Sequence, residues 1–326
     1  MRIASQGRNM RILVLGAGAV GGYFGGRMVE GGADVTFLVR AKRRAALARE
    51  GLQIKSAVGD LNLAIKTVTS GETMTPFDIV LLASKAYDLD SAMDSIAPAV
   101  GPDSAIVPLL NGMAHLDTLS ARFGAPCVLG GACYIGATLD ANGVVRHMGG
   151  MQSLVFGELD GRQSARVDAF AAILGRTKLN FEASRTIRQA MWDKFVLLAA
   201  LAATTTLTRA TIGEIMVAPS GEAFMLAALA ECAAVAKAEG FTPTAAAYAG
   251  ARGALTQRGS GFSASMMRDM FKGGPTEGDH VIGDLVRRAA ARRIDTPILR
   301  TALTNLEVYE AKRAQAALTA APALAQ

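Results

Sequence analysis

"RILVLGAGAVGG", residues 11 to 22, runs five residues of strand character straight into a glycine-punctuated turn. Gly16-Ala17-Gly18-Ala19-Val20-Gly21 has the spacing G-x-G-x-x-G. In that pattern the first glycine permits a tight turn and the second lets a pyrophosphate approach the backbone. The third lets the following helix pack close to the strand. The helix N-terminus then presents unpaired N–H groups and the positive end of its dipole. The spacing alone is weak evidence; a strand before it, a helix after it and a second strand beyond make it specific. Gly16, Gly18, Ala19, Val20 and Gly21 are therefore the expected dinucleotide-binding residues.

The same alternation continues outward. "DVTFLV" (34–39), "FDIVLLAS" (77–84) and "SAIVPLL" (104–110) are compact branched runs of strand length, with helical composition at 19–30, 41–50 and 88–97. Strands alternating with helices at this spacing predict a parallel sheet covered on both faces. From about 127 to 158, short runs separated by Gly, Asn and Asp predict further, antiparallel strands that close the sheet. After about residue 180 strand signals give way to helical segments at 186–208, 219–239, 244–254, 263–271, 278–293 and 297–314. The expected fold class is α/β: an N-terminal Rossmann-type dinucleotide-binding domain over 10–183, then an all-α C-terminal domain over 184–318 that supplies substrate binding and catalysis. Residues 1–9 read as a loose extension and the alanine-rich tail from 316 as a frayed end.

Composition narrows the class. The chain has 326 residues, a net charge of +6 and 51% hydrophobic content, enough for a substantial core. Aromatic residues are sparse and not interleaved with bases, which argues against a nucleic-acid stacking platform. Three cysteines, Cys127, Cys133 and Cys232, lack metal-ligand spacing and read as thiols in a reducing compartment; no metal is expected. The apolar run at 195–203 ends at Thr204-Thr205-Thr206, short of a membrane span. A soluble, cytoplasmic protein without membrane or nucleic-acid partners is expected. The apolar helices of the second half can bury against each other or against a second copy, so a homodimer stays open.

At the end of the second strand an NAD site usually carries an acid for the ribose hydroxyls. This chain has Arg40, then Lys42, Arg43 and Arg44, and no acid before Glu50. A guanidinium can grip a 2′-phosphate bidentately, so NADP(H) is the expected cofactor and Arg40 the residue that selects it. Lys42, Arg43 and Arg44 read mainly as a solvated helix face. Three polar residues stand where chemistry can be done: Lys85 and Asn111, each ending an apolar strand, and Lys194, heading the apolar helix.

These motifs together resemble the ketopantoate reductase (2-dehydropantoate 2-reductase) family. The resemblance rests on "GAGAVGG" with Arg40, "SKAYD" with Lys85, "LLNGM" with Asn111, "WDKF" with Lys194, and "SASMMRDMFKGGPTEGD" with Ser265 and Glu277. It implies NADPH-dependent reduction of a 2-keto acid to a 2-hydroxy acid, ketopantoate to pantoate first among them, as in pantothenate biosynthesis. Lys194 would be the catalytic lysine that polarises the ketone and protonates the alkoxide, with Glu277 assisting it. Asn111 would contact substrate or the nicotinamide region, Lys85 the cofactor, and Ser265 the substrate carboxylate. A cation aimed at the oxygen that gains charge stabilises the transition state more than the ground state.

The chain departs from the family pattern at three positions. Members carry asparagines four and eight residues after the lysine and one three residues before the serine; here these positions hold Leu198, Ala202 and Phe262. An apolar pocket discriminates weakly against hydroxyl-bearing analogues, so two alternatives accompany the main expectation. One is a reductase for a more apolar 2-keto acid; the other is an NADP(H)-binding sensor without turnover. Asp279 is expected to close a capping box with Thr276, His147 to be structural, and Asp193 to pair with a surface base.

Overall fold

The computed structural model describes residues 10 to 320. The extension expected at 1–9 and the end of the tail, 321–326, lie outside the described residues; 316–320 continue the last helix. The chain runs β1 (Arg11–Leu15), α1 (Ala19–Glu30), β2 (Asp34–Leu38), α2 (Ala41–Glu50), β3 (Leu52–Lys55), β4 (Leu61–Leu63), β5 (Lys66–Val68), β6 (Ile79–Leu82), α3 (Leu89–Ile96), β7 (Ala105–Pro108), α4 (Ala114–Phe123), β8 (Leu129–Leu139), β9 (Val145–Glu158), α5 (Ala165–Leu174) and β10 (Asn180–Ala183). It continues as α6 (Ile187–Thr208), α7 (Ile212–Ile215), α8 (Gly221–Ala238), α9 (Ala245–Leu255), α10 (Ser265–Phe271), a π-helical turn (Asp279–Gly283), α11 (Asp284–Ala291) and α12 (Pro297–Ala320). Two compact units result. One holds the residues up to Leu110 with His115–Ile187; the other holds Asn111–Ala114 with the residues from Arg188 on. This α/β half and helical half are the fold class expected.

In the α/β unit the first sheet has the order β5-β2-β1-β6-β7 and is parallel throughout. Strands β6 and β7 are buried along their whole length, which is why they read as unbroken apolar runs. The strands at 129–158 do not close this sheet. β8 and β9 pair antiparallel with a register shift between Ile135 and Gly136, and β9 is flanked on its other side by β10 and β3 in a second sheet. That sheet meets the first through the isolated bridge between Ile106 and Val128.

The physical reason is α1. It packs on β1 and β2 on one side and on β3, β4, β8 and β9 on the other, so its surface has to be covered twice. Glycines make this possible: a Cβ on Gly25 would lie 2.6 Å from the Phe37 ring, and one on Gly26 the same distance from Ile54.

In the helical unit α6 is the centre. Among the described residues it is the one helix long and apolar enough to cross a membrane, yet 72% of its apolar window is buried in the fold. Its aromatic end is held by Trp192, whose ring lies 5.6 Å from Phe195 and 6.0 Å from Phe241. The N-terminus of α12 is capped from α8: Ile298 N and Leu299 N each donate to the Glu231 carboxylate at 2.9 Å. This satisfies two of the amides a helix start leaves unpaired.

Candidate active site

The glycine turn has the form its spacing predicts. Gly16 takes φ +90°, a conformation natural only to glycine, and its N–H donates to Leu38 O at 2.9 Å, fastening the turn to β2. A Cβ on Gly21 would stand 2.2 Å from Gly16 O and 3.0 Å from the Ala83 Cβ, so this glycine brings α1 onto β1 and β6. Around Gly18, by contrast, a Cβ would meet nothing within 4 Å. Gly18 is the N-cap of α1, with no side chain capping the helix and no acid in its first turn. The start of α1 is thus an open, positive cradle of backbone amides. Beyond Ala83, the Ser84 hydroxyl is buried without a hydrogen-bond partner among the described residues. These features fit the phosphates and sugars of a dinucleotide.

The four bases after β2 have three separate fates. Arg40 precedes α2, is 85% exposed, and reaches Asp88 at 3.3 Å. Arg44 pairs with Glu72, and Lys42 is exposed. Arg43, read as surface, instead turns inward and donates to Ala17 O at 3.0 Å and Gly143 O at 3.0 Å. It clamps the glycine turn to the loop between β8 and β9. Lys85 caps a short 3-10 turn, Ala86–Asp88, at the carboxyl end of β6; Asp88 N donates to Lys85 O. That turn carries the carboxylate facing Arg40.

In the helical unit, two of the expected residues meet directly. Lys194, in the second turn of α6, donates from Nζ to Asn111 Oδ1 at 3.1 Å. Asn111 is followed by Gly112, whose φ of +90° makes the sharp turn that leads toward α4. A Cβ on Gly112 would approach His280 Cδ2 at 3.2 Å and Nε2 at 3.3 Å. The His280 ring donates to the Asn111 backbone carbonyl, an interaction that favours the protonated ring; burial outweighs it and pushes the pKa below the ordinary histidine value. Glu277, 9% exposed, stands three residues earlier, and its charge acts on the same ring. The structure thus gathers Lys194, Asn111, His280 and Glu277.

Ser265 opens α10 and is half-buried. The amide just before it, Ala264 N, donates to Thr205 Oγ1 at 3.4 Å. Thr205 lies eleven residues beyond Lys194, three turns along the same helix face and ~16 Å away at 1.5 Å per residue. Leu198 and Ala202 stand between them. The hydroxyls of Thr204, Thr205 and Thr206 donate to Ala200 O, Leu201 O and Ala202 O at 2.6–2.8 Å, satisfied within the helix.

Three residue readings need correction or addition. Thr276 and Asp279 do not form a capping box. Thr276 N and Oγ1 both donate to Glu310 Oε1 on α12, at 2.7 and 2.8 Å, while Asp279 accepts from Arg287 at 2.6 Å. Among the described residues, Asp193 accepts from neutral donors rather than a base: from Gln189 and from the N–H and hydroxyl of Thr244. His147 is structural as expected, bonded to Ser56 Oγ at 2.8 Å and Met151 O at 2.9 Å. His280 went unread. Its sequence signal was a histidine three residues after Glu277, and only the π-turn shows where it lies.

Comparison with known proteins converges on one group. The family model for "Ketopantoate reductase PanE/ApbA" matches residues 12–161, and that for its C-terminal part matches residues 186–310. The chain is 37% identical over 304 residues to the uncharacterized oxidoreductase YkpB of Bacillus subtilis, spanning 93% of this chain and all of that one. It is 30% identical to the 2-dehydropantoate 2-reductase of Halobacterium salinarum, over 90% of this chain and 96% of that one. A PanE/ApbA family ketopantoate reductase from Ralstonia eutropha superposes with a TM-score of 0.84 at 27% identity, covering 93% of this chain and 99% of that one.

Proposed function

The chain belongs to the ketopantoate reductase family, and from that membership we propose that it reduces a 2-keto acid to the 2-hydroxy acid with NADPH, 2-dehydropantoate being the leading substrate. The observation that carries this reading is the Lys194 Nζ to Asn111 Oδ1 bond at 3.1 Å, with Glu277 buried close by.

The bound nicotinamide would supply hydride to the keto carbon. Gly16, Gly18, Ala19, Val20 and Gly21 would hold its pyrophosphate, Lys85 the cofactor side of the site, and Arg40 the 2′-phosphate. Arg40 can turn from Asp88, since a surface pair of this kind is worth ~0–1 kcal/mol. On the protein's side, Lys194 hydrogen-bonds the keto oxygen and gives up a proton as that oxygen gains charge. Asn111 holds the ammonium in place through its amide oxygen and contacts the substrate. Glu277 stabilises the ammonium through its charge, and a proton from solvent recharges Lys194 after the alkoxide has taken its proton. Ser265 meets the far polar end of the substrate. The three buried free cysteines suit a reducing, cytoplasmic location, and a homodimer is compatible with the helical unit.

A second reading keeps the chemistry and changes the substrate. Leu198 and Ala202 put no amide side chain on the helix face beyond Lys194, and the threonine hydroxyls farther along donate to their own helix. This favours a more apolar 2-keto acid. Oxidation of NADPH with a panel of 2-keto acids decides. Turnover of ketopantoate above its deoxy and branched analogues supports the first reading, and the reverse order supports the second. Cofactor binding without turnover of any of them would leave a sensor.

A further inference from the structure

We propose that His280 is a positioning residue of this site, holding the Asn111–Gly112 turn so that the Asn111 amide stays on the Lys194 ammonium. The inference rests on the reading of Lys194 as the group that meets the keto oxygen. Three observations from separate parts of the chain meet at this point. The His280 ring donates to the Asn111 backbone carbonyl. The next residue is Gly112, where a side chain is doubly disfavoured: φ is +90°, and a Cβ would crowd the His280 ring at 3.2–3.3 Å and its carbonyl oxygen at 3.4 Å. The Asn111 side chain accepts from Lys194. One residue's carbonyl is therefore fixed by the imidazole while its amide fixes the ammonium.

The local backbone explains how His280 comes to be there. Asp279–Gly283 is a π-helical turn that begins two residues after Glu277, with Asp284 N donating to Asp279 O. A π-turn fits one more residue into a helical turn than α geometry allows and is often found where function requires a side chain to be re-aimed. Here it holds His280 on the Asn111–Gly112 turn, three residues from Glu277.

Charge fits the role. The groups facing the ring are Glu277, Asp279 and Asp284, all of which favour the imidazolium; Asp279 is engaged by Arg287 and Asp284 by Arg288. Burial outweighs them and holds the ring's pKa below the ordinary histidine value. A lowered pKa favours the uncharged imidazole, which can still donate one hydrogen bond to the Asn111 carbonyl.

The test compares His280→Phe, which keeps bulk and removes the donor, with His280→Gln, whose amide can still donate. The phenylalanine variant should lose on the order of 10–100-fold in kcat with saturating 2-keto acid, as small misplacements of catalytic groups do, with KM for NADPH within about twofold. His280→Gln should recover at least about tenfold of that loss. In an Asn111→Ala background His280→Phe should cost nothing further, because two residues acting through one contact are not additive. Wild-type kcat in His280→Phe, or losses that multiply in the double variant, would overturn the proposal. His280→Leu carries the same expectations should His280→Phe not fold.

Amide hydrogen exchange supplies an arm that needs no turnover. Exchange at Gly112 and Met113 should rise about tenfold or more in His280→Phe, stay near wild type in His280→Gln, and leave the amides around Lys194 in α6 unchanged. Unchanged exchange at Gly112 overturns the positioning role whatever the substrate. Wild-type protein inert toward every 2-keto acid, with exchange responding as stated, would defeat the proposed reaction and leave this inference standing.

Discussion

Helices α1 and α6 are both largely buried in their units, and they reach burial by opposite means. α1 gives up side chains: Gly21, Gly22, Gly25 and Gly26 let it sit between two sheets. α6 keeps them, filling its unit with Trp192, Phe195, Val196 and Leu201 and turning its threonine hydroxyls back on its own carbonyls. The difference follows from what each helix presents. α1 offers backbone amides at its end, so atoms near that end must be absent. α6 carries Lys194 within its apolar length, so the side chains around that cation must be present and packed.

That contrast can be broken most severely at the cation. Lys194→Ala should lower kcat on the order of 10²–10⁴-fold while leaving NADPH binding intact, since a proton donor and oxyanion partner of this kind contributes that much. Full activity in the steady-state assay would remove Lys194 from the chemistry.

The two glycines of the turn sharpen the other side. Gly21→Ala forces a Cβ to within 2.2 Å of a backbone oxygen, and overpacking of this kind costs ~1–3 kcal/mol or more; thermal melting should show it. Gly18→Ala meets no protein atom within 4 Å and should melt as wild type, yet weaken NADPH binding about tenfold or more. Equal melting points for the two variants would contradict this division of labour. Arg40→Ala should raise the NADPH KM about tenfold and leave that for NADH unchanged, with an effect that shrinks at high salt. An NADPH preference that survives the change would place cofactor selection elsewhere.

The smallest expected effect lies far from either helix end. Burial raises the Glu158 pKa, but hydrogen bonds from Arg166 and Ser164 and the charges of Arg166 and Arg162 outweigh it, so the carboxyl titrates below its ordinary value. A depressed folded pKa contributes stability that is present above the unfolded pKa of ~4.3 and lost as pH falls through the folded value. Glu158→Gln should therefore flatten the loss of melting temperature below about pH 4.5 and shift it little by comparison there. An unchanged acid dependence would show that other carboxylates set it.

Legibility in the sequence followed how local each cause was. The β1–turn–α1 unit could be read because strand period, glycine spacing and helix start are set within a dozen residues. β3, β4 and β5 could not: "LQIK", "LNL" and "KTV" are three or four residues long and partly polar, and only pairing makes them strands. The strands at 129–158 were readable as strands but not by partner, because which sheet they join depends on α1 needing cover on its second face. Arg43 looked like its exposed neighbours, since nothing in a run of bases shows which one folds back on Ala17 O.

The candidate site divides in the same way. Lys85, Asn111 and Lys194 stood out by residue type and position, while Glu277 and the roles came from the family resemblance. That Asn111 accepts from Lys194, and that His280 sits on Asn111 and Gly112, are contacts between segments more than 80 residues apart. By itself the sequence determined the fold class, the glycine turn between β1 and α1 and the candidate residues for the chemistry, because backbone conformation and residue type are local properties. Only the tertiary structure decided which of them touch and which histidine holds the turn, because those depend on packing between distant segments and on burial that no single segment encodes.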